Sequence, residues 1–234
     1  MSDEFFVGYL AAPPETARRM RRVAVAIVLI AAAVATALAI ATGPFDRASY
    51  DYAHAREWLG RLEAAPVPVL IAKDQAYPLV AQGKHGATAM IDGNEGAAVR
   101  LTGRPSVRFG TTMLEIAPGT IERDGSPPPA SKIEDLGPAR FSGEIVDSKC
   151  FLGVMNPGRL EVHRACAIRC IAGGVPPMLF AHDEQGRELH LLLVDSDGHS
   201  VNDRVLDLVA RPITLAGRLE RRDGLLFLYV SRFD

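Results

Sequence analysis

Between Arg22 and Asp46 the chain carries no charged residue, and from Val23 to Thr42 it consists of Ala, Val, Ile and Leu broken only by Thr36 and Thr42. At about 1.5 Å per residue, such a run is the length a helix needs to cross the ~30 Å hydrocarbon core of a bilayer. Arg18, Arg19, Arg21 and Arg22 stand immediately before it, whereas Gly43-Pro44-Phe45-Asp46 follows with no basic cluster. By the positive-inside rule, residues 1–22 form a cytoplasmic tail, 23–43 a transmembrane helix, and everything from about residue 44 lies outside. The expected location is the inner membrane of a bacterium, crossed once, with the C-terminal domains in the periplasm. Ala39-Ile40-Ala41 resembles a signal-peptide cleavage site, but the run exceeds the usual signal core and follows a long tail containing Phe5-Phe6-Val7. An uncleaved anchor is therefore expected. Ala31, Ala35 and Ala39 give the helix a small-residue face that can pack against another membrane helix.

The formal net charge of -2 and pI of about 6.3 offer no general attraction to nucleic acid, which is excluded as a partner class. Beyond the anchor, short apolar runs alternate with Gly and Pro turns, so the fold class is mainly β. Pro127-Pro128-Pro129 lies in a polar stretch expected to be a linker, 124–136, between domains at 45–123 and 137–234. The two domains read as repeats. Val99-Arg-Leu-Thr-Gly-Arg104, the turn Phe109-Gly110 and Met113–Ile116 align, 114 residues on, with Ile213–Arg218, Asp223-Gly224 and Phe227–Val230. Pro68–Ile71 matches Pro177–Phe180 at an offset of 109, and Leu59-Gly60-Arg-Leu62 matches Ser142-Gly143-Glu-Ile145 at 83. The second copy has thus gained about 26 residues between its first two strands, within roughly 147–176.

The strand Phe141–Asp147 with its Gly-x-Ile-Val-Asp, the strand Leu189–Val194, and a Gly-Arg hairpin made by 212–219 and 225–233 resemble those of OB-type small β-barrels. That resemblance implies two tandem OB-like barrels on one N-terminal helix, the second with a short helical Cys/His insertion. OB-type domains bind nucleic acid, sugars, small ligands or heme. The architecture is similar to that of the cytochrome c heme chaperones, but their heme-attaching His motif near the C-terminus is missing.

All three cysteines and one of six histidines fall in the insertion, as Cys150, His163, Cys166 and Cys170. Residues Leu160–Ile171 are good helix formers between Asn156-Pro157-Gly158 and Gly173-Gly174, predicting a short helix. His163, Cys166 and Cys170 then share one face at i, i+3 and i+7. Three readings stay open. The four residues form a Cys₃His site for zinc or another thiophilic ion. Alternatively, Cys166 and Cys170 with His163, and Met155 or Met178, form a redox or copper(I) site; the CxxxC spacing resembles that of copper chaperones for respiratory oxidases. In the third, a disulfide from Cys150 to Cys166 or Cys170 staples the insertion to the barrel.

Gly83-Lys84-His85-Gly86 is a turn whose Lys84 and His85 are candidates for contact with an anion or a partner's acid. Asp195-Ser-Asp197-Gly-His199 lacks the terminal Glu of a calcium loop and reads as a hairpin turn. No Walker loop, dinucleotide fingerprint or HExxH occurs, which argues against an enzyme. The functional expectation is an accessory subunit of a larger membrane complex, respiratory or electron-transferring, whose partners are other membrane-protein subunits. A structural module without metal and a copper or heme delivery chaperone are the alternatives.

Overall fold

The structure is a computed structural model that describes residues 12–42, 48–73 and 75–233. The Phe5-Phe6-Val7 patch and the Gly43–Asp46 segment lie outside the described residues. Helix α1 spans Pro14–Thr42. It is long and apolar enough over Pro14–Ala41 to cross a membrane, a property that an anchor and a signal sequence share. It starts before the expected span because Arg18 to Arg22 are themselves good helix formers.

The rest of the chain forms one compact unit, Arg47–Asp234, and is mainly β. In its first repeat, β1 (Ser49–Tyr50), β2 (Arg56–Glu63), β3 (Val69–Ala72) and β4 (Gln75–Val80) lead to a one-turn helix α2 (Thr88–Ile91). Strands β5 (Ala98–Arg108), β6 (Thr111–Ile116) and β7 (Glu122–Arg123) complete it. The second repeat opens with β8 (Ile133–Asp147), α3 (Ser148–Phe151) and α4 (Glu161–Ala172). It continues through β9 (Pro177–His182), β10 (Glu188–Asp195), α5 (Asn202–Val205), β11 (Pro212–Arg222) and β12 (Leu225–Arg232).

Strands β8 to β12 close a five-stranded barrel in the order β10-β12-β11-β8-β9, antiparallel except for the β10–β12 pair. The first repeat follows the same cycle of pairings: β2 with β3, β3 with β4, β4 parallel to β6, β6 with β5, and β5 with β2. The correspondence extends to register. Gly103 pairs with Ile116 and Arg108 with Thr111, as Gly217 pairs with Val230 and Arg222 with Leu225. Both hairpins turn through two residues of positive φ, Phe109-Gly110 and Asp223-Gly224, the backbone of a two-residue turn matched to the strand twist.

Gly60 and Gly143 hold corresponding places. A Cβ on Gly60 would lie 2.4 Å from the Ile71 carbonyl oxygen, and one on Gly143 would lie 2.0 Å from that of Phe180. The neighbouring strand passes too close for a Cβ at either position, so both places require glycine.

Three apolar clusters fill the unit. Leu62, Leu70, Leu101 and Leu114 belong to the core of the first repeat. Ile145, Leu179, Leu191 and Leu228 belong to that of the second, with Ala167 and Ile171 of α4. A third is shared: Val69, Ile71, Val80 and Met113 of the first repeat pack with Phe151, Phe180, Leu192 and Phe227 of the second. Chain expected to be linker is tied down on both sides. Ser131 donates its backbone N–H and its Oγ to Glu63, at 3.1 and 2.8 Å, and the Lys132 N–H donates to Asp223 Oδ1 at 3.1 Å. Strand β8 has begun by Ile133.

Gly143→Ala is expected to destabilise the protein by about 1–3 kcal/mol through forced strand separation, whereas Ala130→Ser at an exposed position stays within about 0.5 kcal/mol. Thermal unfolding of the two variants decides the matter, and an unchanged midpoint for Gly143→Ala refutes the close-approach argument.

Candidate functional site

The β2–β3 connection of the first repeat runs only from Glu63 to Val69, whereas its counterpart from Asp147 to Pro177 carries α3 and α4. Helix α4 occupies Glu161–Ala172, one residue from the sequence expectation at each end. No side chain caps its start; instead the Leu160 N–H, at φ 67°, donates to Glu144 Oε2 at 3.1 Å. Its C-terminus is closed by Gly173 and by Gly174 at φ 90°, with the Val175 N–H donating to the Cys170 carbonyl. The buried side chains of α4 are His163, Ala167, Cys170 and Ile171.

Cys150 lies on α3, where Asp147 caps the helix by accepting the Cys150 N–H at 2.7 Å. Strand β5 of the first repeat clasps this turn. Arg108, 3% exposed, donates from Nη1 to the carbonyls of Phe151 and Met155, both at 2.9 Å, and Ser106 Oγ donates to that of Leu152.

The fold brings the three sulfurs together. Cys150 Sγ stands 3.9 Å from Cys166 Sγ and 3.9 Å from Cys170 Sγ, and all three cysteines are free. This cluster could hold a metal ion. His163 does not join the three-sulfur group. Its Nε2 lies 3.1 Å from Asp147 Oδ2, in a second group made with Cys150. Asp147, fully buried, thereby serves both the Cys150 backbone and the His163 ring.

Lys84 supplies the cation. It comes from the loop after β4 in the first repeat, and its Nζ is 2.6 Å from Cys166 Sγ and 3.9 Å from Cys170 Sγ. His85 beside it is exposed. The loop is fixed from two directions. The Gly86 N–H donates to the Gly173 carbonyl at 3.0 Å, in a seam where a Cβ on Gly173 would lie 1.9 Å from the Lys84 oxygen. Lys149 donates to the carbonyls of Ala81 and Gly83 and pairs with Glu115 at 2.7 Å. Glu115 also accepts from Tyr50 Oη at 2.8 Å. Burial, reinforced by that carboxylate, pushes the Tyr50 phenol up to about 12. Beside Cys150 opens a cavity of about 280 Å³, whose mostly apolar wall includes Tyr50, Tyr52, Met113 and Met155.

The thiols differ in charge preference. Donation to Cys170, burial and the Asp147 charge push the Cys150 thiol well above its ordinary range. The Cys170 thiol is lowered, chiefly by the hydrogen bond from Cys150 and also by Lys84, against the opposing effect of burial. The Lys84 ammonium is raised, mainly by its contact with Cys166. Cys150 is thus the harder of the two to ionise and Cys170 the easier, beside a retained cation.

Asp147, Arg108 and Lys149 are absent from the sequence expectation. Lys149 and Asp147 had a signal in their adjacency to Cys150; Arg108, in the other repeat, had none. Among the other candidates, Asp195 accepts the N–H groups of Asp197 and His199 at 3.0 and 2.8 Å and forms a turn, although with those two residues it too could hold an ion. Met178 is buried in the shared core. Comparison with protein-family models, with curated proteins and with solved structures gives no match.

In the reduced, metal-free protein, the lowered Cys170 makes stability rise with pH up to its ordinary value of 9.0, because the unfolded chain there binds the proton that the folded chain has released. Raised Lys84 holds its contribution below 10.5 and loses it as pH climbs through the folded value. Urea midpoints for wild type and Cys170→Ser are therefore expected to diverge as pH rises toward 9.0, with wild type gaining. A constant difference contradicts the assignment of charge to Cys170.

Proposed function

We propose that this protein is a membrane-anchored accessory subunit of a larger membrane complex, respiratory or electron-transferring, whose exported part binds a thiophilic metal ion at Cys150, Cys166 and Cys170. The convergence of three sulfurs carries the reading. Thiolates bound about 2.3 Å from one ion stand about 3.8–4.0 Å apart, whether the geometry is tetrahedral or trigonal, and Cys150 Sγ stands 3.9 Å from each of the other two sulfurs. Zinc is preferred on charge: a dication, three thiolates and the Lys84 ammonium sum to zero in a half-buried setting. Asp147 and His163 then support the site by fixing the turn that carries Cys150.

Membrane attachment is supported by the length and composition of α1, and a periplasmic β unit by the positive-inside rule applied to the four arginines before the apolar run. We read the unit as two OB-type barrels in tandem, a reading supported by the closed barrel of the second half and the like cycle of strand pairings in the first. The second reading, delivery of copper(I), is favoured by Met155, whose soft thioether shares the cavity beside Cys150.

Elemental analysis and thiol counting on the full-length chain in mild detergent test the site. One zinc per chain with all three thiols released by chelation supports it; no metal and a single free thiol overturns it in favour of a disulfide staple. Replacing any one cysteine by serine is expected to abolish retention of the ion. His163→Gln is expected to weaken it about 10–100-fold. Copper(I) that exchanges to an acceptor and is lost with Cys166 and Cys170 favours delivery, and copurifying membrane subunits identify the complex.

A further inference from the structure

The Lys84–Cys166 contact is shorter than a hydrogen bond to sulfur should be. Even N–H···O bonds, made to a smaller acceptor, span about 2.7–3.2 Å, yet Lys84 Nζ stands 2.6 Å from Cys166 Sγ. That separation matches a nitrogen and a sulfur held by one shared oxygen atom. The approach is enforced on both sides: Lys149 grips the carbonyls of Ala81 and Gly83, Gly86 is bonded to Gly173, and Cys166 rides on a packed helix. Lys84 is exposed and Cys166 half-buried, so a small oxidant reaches both.

We propose that Lys84 and Cys166 are a modification site, at which dioxygen forms an N–O–S bridge between the lysine nitrogen and the cysteine sulfur. This goes beyond the metal reading and does not rest on it. The step balances as lysine ammonium plus thiol plus O₂ giving the bridge, water and one proton. Two N–H bonds, the S–H bond and the O–O bond break, one of the N–H protons leaving as H+, and N–O and O–S bonds form. One oxygen atom enters the bridge and the other leaves as water. Sulfur rises to the sulfenyl level and nitrogen to the hydroxylamine level, two electrons each, and dioxygen takes all four. Two equivalents of a dithiol return the four electrons and regenerate amine, thiol and water.

The bridge covalently joins the first repeat to the second and withdraws one of the three sulfurs from the cluster. The site is then a sensor, open to a soft ion when reduced and closed when oxidised.

Intact mass and peptide mapping of the full-length chain, purified in detergent with chelator and exposed to air, test the proposal. A gain of about 14 Da is expected, mapped to a cross-link between Lys84 and Cys166 and reversed by dithiothreitol. It should vanish in Lys84→Arg, which keeps the charge, and in Cys166→Ser, but persist in Cys150→Ser. An unmodified mass, a loss of about 2 Da from a disulfide, a gain of about 16 Da from a sulfenic acid, or a gain of about 14 Da that survives dithiothreitol overturns it. Since metal retention is scored separately on reduced protein, failure of the bridge leaves the metal result standing, and the reverse holds.

Discussion

A Cβ at Gly86 would lie 2.0 Å from the Gly174 carbonyl oxygen, and one at Gly173 would lie 1.9 Å from that of Lys84. The loop after β4 and the end of α4 can therefore meet only as bare backbone, and the rest of the site depends on this seam. It places a lysine of the first repeat against cysteines of the second with little freedom to withdraw. Lys149 and Arg108 tie the same two repeats together on the other side of Cys150. Because the shared apolar cluster lies beneath, loosening either repeat would also disturb the sulfurs.

Three thiols within reach of one another present an electrostatic problem that the protein answers before any ion arrives. Three thiolates cannot all ionise at such spacing, since like charges a few ångströms apart raise each other's proton affinity. The arrangement divides the labour. Cys150, which donates to Cys170 and lies beside the Asp147 carboxylate, holds its proton more tightly than an ordinary thiol, and Cys170, which accepts from Cys150 and feels Lys84, holds its proton less tightly. An arriving soft cation must displace the protons the thiols still hold, and it meets least resistance at Cys170.

What the sequence discloses differs by the range of the interaction. The Gly-turned hairpins and the 114-residue offset are local and repeated, and the same offset returns in their strand registers. Helix α4 is legible because its start and stop are written in glycines and helix formers within a few positions. Lys84 stands out as a cation in a glycine turn, but its partner is a thiol 82 residues away, and nothing in the turn encodes that. His163 shows the converse. Helical spacing puts it near Cys166, yet a buried carboxylate from the preceding strand takes its ring nitrogen. The polar Pro-rich stretch conceals hydrogen bonds to Glu63 and Asp223 because composition reports solvation, not partners.

The two hairpins share a register, whereas the sulfurs occur in one copy and the lysine beside them in the other. Neither half holds the constellation by itself: the half with the cysteines lacks the facing cation, and the half with the cation lacks the sulfurs. Whatever binds there therefore reports on whether the two halves are docked, and a chain split between them would lose the site while keeping every one of its residues.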